Sequence, residues 1–197
     1  MVVPDRLDSI FLTPEEVNPL MGTDSMQVSV PINPGPYTKN LETMADQDCR
    51  STDSPALGPV YEGSGYTAIS TETMVGDQGR SLAQAVAVFP SADLAQAFVA
   101  NTAAKWKACA GRTIKAQMIP TIDGGIYREQ TFTLGSYLGG ADAIGLSRTI
   151  TDGYQCQRAL SSDLNVVADV DACTSPLDRQ GRTIANKMAA KAEAAAS

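Results

Sequence analysis

The stretch Ala143-Ile144-Gly145-Leu146-Ser147-Arg148-Thr149-Ile150-Thr151-Asp152-Gly153-Tyr154-Gln155-Cys156-Gln157-Arg158-Ala159-Leu160 decides the fold class. Two apolar-rich runs, Ala143–Thr151 and Tyr154–Leu160, meet at Asp152-Gly153, a two-residue hairpin signal. A third run, Asn165–Ala172, follows after a short break. Connections this short join antiparallel neighbours, because a parallel pair needs a crossover of about a dozen residues.

The same reading extends upstream. Thr113–Ile119 and Ile126–Leu134 read as strands, with Asp123-Gly124-Gly125 and Leu138-Gly139-Gly140 as turns. Gly65–Met74 alternates, and Ser81–Phe89 carries Leu82, Val86 and Val88 beyond the turn chemistry of Val75–Arg80. Ser91–Cys109 reads as the clearest helix. Ser91 is its cap, Leu94, Phe98, Thr102 and Trp106 share a face, and Gly111 follows its end. Ser175-Pro176-Leu177-Asp178 opens a last helix, with Leu177, Ile184 and Met188 inward and an alanine-rich tail expected to fray.

At the start, Leu7, Ile10 and Phe11 share a helical face. Thr13-Pro14-Glu15-Glu16 is a capping box that opens a short helix ending before Gly22. Residues 23–48 read as a long irregular loop, since Pro31, Pro34, Gly35 and Pro36 interrupt regular structure. A short helical turn is expected near Ala56–Tyr61. The expected architecture is one α+β domain over 1–197, an antiparallel sheet packed with helices.

Composition narrows the function. The net charge of −7 and the scattered Lys and Arg lack the basic stripe of a nucleic-acid binder. The absence of histidine removes Ser-His-Asp and Cys-His catalysis and every histidine zinc site. No phosphate-loop, dinucleotide or nucleophile-elbow pattern occurs, and no cofactor is expected. No apolar run reaches the roughly 18 residues of a membrane span. The opening Met1-Val2-Val3-Pro4 runs straight into domain-like sequence without a signal-peptide pattern. A targeting segment or membrane anchor is expected to lie outside this chain.

The cysteines Cys49, Cys109, Cys156 and Cys173 lack the short spacing of zinc and thioredoxin motifs, and their even number favours two disulfides in an oxidising compartment. Of three possible connectivities, Cys49–Cys109 and Cys156–Cys173 are expected, because Cys156 and Cys173 flank a predicted hairpin.

Arg158 stands out, an arginine in an apolar-bounded strand beside a disulfide. Its planar fork suits a carboxylate or phosphate, whether in a ligand or in an internal pair with Asp169 or Asp171. Gln84 is a polar group inside a strand, either outward-facing or lining a cleft. Tyr66 and Asn165 complete the candidate ligand-binding set of Arg158, Gln84, Tyr66, Asp169 and Asn165.

Four stretches resemble a known family. They are Asp5-Arg6-Leu7-Asp8-Ser9-Ile10 with Met21-Gly22, Gly65-Tyr66-Thr67-Ala68-Ile69, and Ala85–Pro90 through Ala97-Phe98-Val99 to Lys105–Gly111. The fourth is Cys156-Gln157-Arg158-Ala159 with Asn165–Val170 and Cys173. Together they resemble the extracellular sensor domain of mycobacterial PknH-type receptor serine/threonine kinases and related sensor-domain lipoproteins. The resemblance implies a mixed α/β domain on an antiparallel sheet, two disulfides, no catalysis, and a solvent-open polar cleft for an unidentified small or cell-envelope ligand. The location it implies is secreted or at the outer face of the cell membrane. A carboxylate-dependent hydrolase or lyase and a protein-interaction scaffold are the alternative functions.

Overall fold

The strand Val166–Cys173 is buried at every position. A strand with one solvated face would alternate, so both faces of the sheet must be covered around it. The computed structural model, which describes residues 1–36, 46–118, 128–140, 142–150 and 153–197, shows how.

Eight strands form one sheet: β1 (Gln27–Pro34), β2 (Ala68–Val75), β3 (Ser81–Val88), β4 (Thr113–Met118), β5 (Arg128–Leu138), β6 (Ile144–Ile150), β7 (Gln155–Asp163) and β8 (Val166–Cys173). Their order is β1-β2-β3-β8-β7-β6-β5-β4, and every pairing is antiparallel. The helices are α1 (Pro14–Met21), α2 (Gly58–Tyr61), α3 (Ala92–Cys109) and α4 (Gln180–Ala195). The expected antiparallel α+β architecture is therefore the one observed.

Strand alternation sorts the core into two clusters. Leu82, Val86, Ala168 and Val170 pack with Ile10, Leu12, Ile184 and Met188 under α4 and the N-terminal segment. Ala85, Ala87, Val167 and Leu160 pack with Tyr61, Phe98 and Trp106 under α3 and the 46–61 segment.

Several elements follow their local chemistry. Ser91 accepts from Leu94 N at 3.3 Å and caps α3. Thr13 N donates to Glu16 Oε2 at 2.9 Å in the capping box. Gly22 closes α1 with φ +66°, a left-handed conformation in which glycine carries no Cβ penalty. The Asp152-Gly153 turn lies partly outside the described residues. On its described side, Ile150 N donates to Tyr154 O at 2.8 Å.

Four expectations need correction. Residues 23–48 are not one irregular loop, because 27–34 form strand β1. β1 is the sheet edge and its pairing with β2 is interrupted by register shifts, so Pro31 and Pro34 fit without losing interior ladder bonds. Residues 37–45 of that expected loop lie outside the described residues. Leu94 is 43% exposed, and the buried face of α3 runs through Ala95, Phe98, Thr102 and Trp106 instead.

The last helix begins at Gln180 rather than beside Ser175. Its cap comes from another element: Gln157 on β7 accepts from Arg182 N at 3.1 Å and donates to Asp178 O at 2.9 Å. Gly181 permits that approach, since a Cβ there would lie 2.6 Å from Gln157 O. The alanine-rich tail does not fray. α4 reaches Ala195, with Ala185, Ala189, Ala192 and Ala195 buried against the sheet.

Both disulfides form as expected. Cys49–Cys109, 60 residues apart, ties the Gln47–Thr52 turn to the end of α3. Cys156–Cys173, 17 residues apart, joins directly paired positions of β7 and β8. Loop-closure entropy assigns them roughly 4 and 3 kcal/mol.

Candidate functional site

On the face beneath α3, the strands β6, β7 and β8 carry two arginines and two aspartates. Register places Arg148 opposite Cys156, and Arg158 opposite Asp171. Side chains then reach diagonally, so that Arg158 pairs with Asp169 at 2.6 Å and Arg148 pairs with Asp171.

The first pair is sealed. The side chains of Arg158 and Asp169 are 2% and 3% exposed. Asp169 Oδ2 accepts from Ala56 N at 2.9 Å and from Tyr61 Oη at 3.0 Å. Arg158 donates to Val170 O, and its guanidinium lies 5.6 Å from the Trp106 ring centre. Burial, and next the Asp169 charge, push the Tyr61 hydroxyl pKa well above the usual tyrosine range, so it stays a donor.

The second pair meets a cleft. A cavity of about 440 Å³ is walled by Asp53-Ser54-Pro55 on one side and by Thr73, Ser81 and Ala83 on the other. Arg148, Asp171, Tyr154 and the Cys156–Cys173 disulfide also line it. Arg148 donates to Thr52 O at 3.3 Å and to Asp53 O, and pairs with Asp53 Oδ1 at 3.3 Å. One guanidinium thus clasps the 52–53 backbone to the sheet. Burial raises the Asp171 pKa, with Arg148 pulling it back down. Asp171 Oδ1 has no hydrogen-bond partner among the described residues. The grouping of Cys156, Asp171 and Cys173 is no metal centre, because both sulfurs are spent in the disulfide.

The five residues singled out by sequence do not converge on one opening. Arg158 and Asp169 pair with each other and do not line the cleft. Gln84 lies on the opposite face, fully buried, where it accepts from Leu12 N and donates to Leu12 O, both at 3.1 Å. It also donates to Glu72 Oε2 at 3.1 Å. Asn165 accepts from Val2 N at 2.7 Å and donates to Val2 O and Phe89 O at 2.9 Å. Both amides therefore staple the N-terminal segment to the sheet. Tyr66 is half-buried and packs edge-on against Tyr61, with ring centres 5.7 Å apart.

Arg148, Asp53 and Tyr154 were missed. The signal for Arg148 was its register: four residues before Asp152 on the run that leads into the turn, it falls opposite Cys156, beside the expected disulfide.

The chain belongs to the family of PknH-like extracellular domains, whose model it matches over residues 2–191. The individual relatives are kinases. The chain is 38% identical to serine/threonine-protein kinase PknH of Mycobacterium bovis over 204 residues, covering 96% of this chain and 31% of the kinase. It is likewise 38% identical to PknH of Mycobacterium tuberculosis strain H37Rv, over 96% of this chain and 30% of that kinase. The chain thus spans about three-tenths of the length of the kinases it matches. The crystal structure of the extracellular domain of PknH from Mycobacterium tuberculosis superimposes with a TM-score of 0.87 and 34% identity, covering 98% of this chain and 97% of that one. An extracytoplasmic location goes with the family and agrees with the paired cysteines.

Proposed function

We propose that this domain is a sensor that captures a small polar or cell-envelope molecule in the cleft above Cys156–Cys173, without catalysing a reaction of its own. The parent protein is anchored at the outer face of the cell membrane. The observation that carries this reading is the cleft floor. A pre-paired Arg148–Asp171 sits there with one carboxylate oxygen still lacking a partner. The pair is 10% exposed on both sides, so a bound hydroxyl, amide or ammonium group can meet its open edge in charge-assisted hydrogen bonds. The cavity size suits a ligand of that kind.

Arg158 and Asp169 serve this site as positioning residues. They hold the β7–β8 pair and the 51–56 backbone beneath and beside the cleft.

The test is titration of the isotope-labelled domain with muropeptide fragments, amino sugars and diamines, followed by amide resonances. Shifts should concentrate at Asp53–Ser54, Ser81–Ala83 and Tyr154, and should be lost in Asp171→Ala. Saturable shifts confined to another surface would defeat the proposal.

A further inference from the structure

A second cavity plays no part in the cleft above. About 590 Å³ in volume, it lies where the Gln47–Thr52 turn meets the last turns of α3. The Cys49–Cys109 disulfide fixes that junction, and Trp106 Nε1 donates to Ser51 Oγ at 3.1 Å behind it. The opposing wall is Pro59 and Val60 of α2.

Its lining has two characters. Ala104, Ala108, Pro59, Val60 and the disulfide present an apolar wall, while Arg50, Lys105 and Arg112 bring three cations from three segments of the chain. This is unusual in a chain of net charge −7. Arg112 is paired with Asp46 and also donates to Cys49 Sγ at 3.4 Å. Arg50 uses its Nε on Gln47 O at 3.0 Å. Neither Arg50 nor Lys105 has a carboxylate within ion-pair distance among the described residues. The lining holds one acid, Asp48, against three bases.

We infer that this pocket is a second ligand site, separate from the cleft, for a phosphate-bearing amphiphile with a short apolar body. The apolar wall would take the body. Arg50 and Lys105 would take the phosphate, whose oxygens accept from a guanidinium and an ammonium in charge-assisted hydrogen bonds. Arg112, held by Asp46, sets the positive field at the mouth. The phosphate could belong to a lipid headgroup or to a free soluble metabolite, and the apolar requirement separates these from inorganic phosphate.

The probes are hexyl phosphate, inorganic phosphate and hexyltrimethylammonium, titrated into the intact oxidised domain by resonance shifts and calorimetry. Hexyl phosphate should bind in roughly the millimolar range, shifting Val60, Lys105 and Ala108, and inorganic phosphate should bind about tenfold more weakly. The cation should not bind. Lys105→Gln and Arg50→Gln should each weaken hexyl phosphate about tenfold, with Lys105→Arg restoring most of the loss. Both positions lie outside the core, and unchanged thermal melts verify folding. Tyr154→Phe, in the other cavity, should leave this binding intact, so failure here and failure of the cleft proposal are read separately. Equal binding of hexyl phosphate and inorganic phosphate, unchanged affinity in both glutamine variants, or no saturation with hexyl phosphate would each overturn the inference.

Discussion

Arg158–Asp169 and Arg148–Asp171 use the same chemistry on adjacent strands and have different surroundings. The first pair is 2% and 3% exposed, with Trp106 over the guanidinium and Tyr61 on the carboxylate. The second is 10% exposed on both sides and borders a cavity. The difference comes from cover. Each guanidinium lies 5.6 Å from an aromatic ring, Trp106 for Arg158 and Phe132 for Arg148, but Tyr61 and Ala56 close over Asp169, whereas Asp171 borders the cavity. An ion pair that is fully enclosed is a fixed part of the core. The same pair at the edge of its cover is a prepared surface.

The contrast can be broken from the enclosed side, where the largest effect is expected. Arg158→Met removes the cation and leaves Asp169 charged in the interior, a change that costs about 3–5 kcal/mol. For a domain of this size the midpoint should fall by roughly 6–20 °C. Binding by the folded fraction should weaken less than in Arg148→Met, because Arg158 supports the cleft without lining it. Thermal melts with calorimetry on the same samples check both outcomes.

Arg148→Met should cost less, about 1.5–3 kcal/mol, since its partners can turn to water. It should also loosen the 52–53 backbone and weaken whatever occupies the cleft. Faster hydrogen exchange confined to residues 51–56 would sharpen the distinction between the two pairs, and uniform destabilisation would blur it.

How far the sequence disclosed this depended on whether a feature was local. The antiparallel β6–β7 pairing, the Ser91 cap and the Thr13 capping box act within a few residues, and each was legible. The same holds for Arg158: a cation in an apolar run demanded either a ligand or an internal aspartate, and Asp169 is what it meets. Features made by distant segments were not legible. The α4 cap is supplied by Gln157 on another strand, and β1 is a strand only because β2 offers it an edge. Gln84 illustrates the limit. Its strand position made it visible as a polar anomaly, yet its partners are Leu12, seventy-two residues away, and Glu72. Which side of the sheet it served was settled by the path of the N-terminal segment.

Gln84→Ala therefore tests the face opposite the two pairs. It would leave Leu12 N, Leu12 O and Glu72 without their partner in a buried site, at a cost of about 1–3 kcal/mol. The N-terminal segment should become more sensitive to proteolysis, while the cleft resonances stay in place. Cleft shifts in this variant would show that the two faces of the sheet are coupled.

The smallest expected effect concerns pH. Burial holds the folded-state pKa of Asp171 above its ordinary 3.8, against the pull of Arg148, and burial likewise holds Glu72 above 4.5, opposed by its bond from Gln84. A carboxylate raised on folding binds more protons in the native state between its two pKa values. Stability from such a group falls as pH rises through that window and is flat above it. Asp171 and Glu72 should each contribute a shallow decline from mildly acidic pH upward. Asp77 acts in the opposite sense. Hydrogen bonds from Ser25 and Thr23 hold its pKa below 3.8, so its contribution is present at neutral pH and lost as pH falls through the folded-state value. Asp171→Asn should remove its part of the upward decline while lowering stability at all pH values through the lost pair. Glu72→Gln should remove the other part. Midpoints measured in steps from about pH 4 to 8 check the slopes. An unchanged slope in Asp171→Asn would mean that Arg148 offsets the burial of this carboxylate completely, leaving the cleft pair as well compensated as the enclosed one beside it.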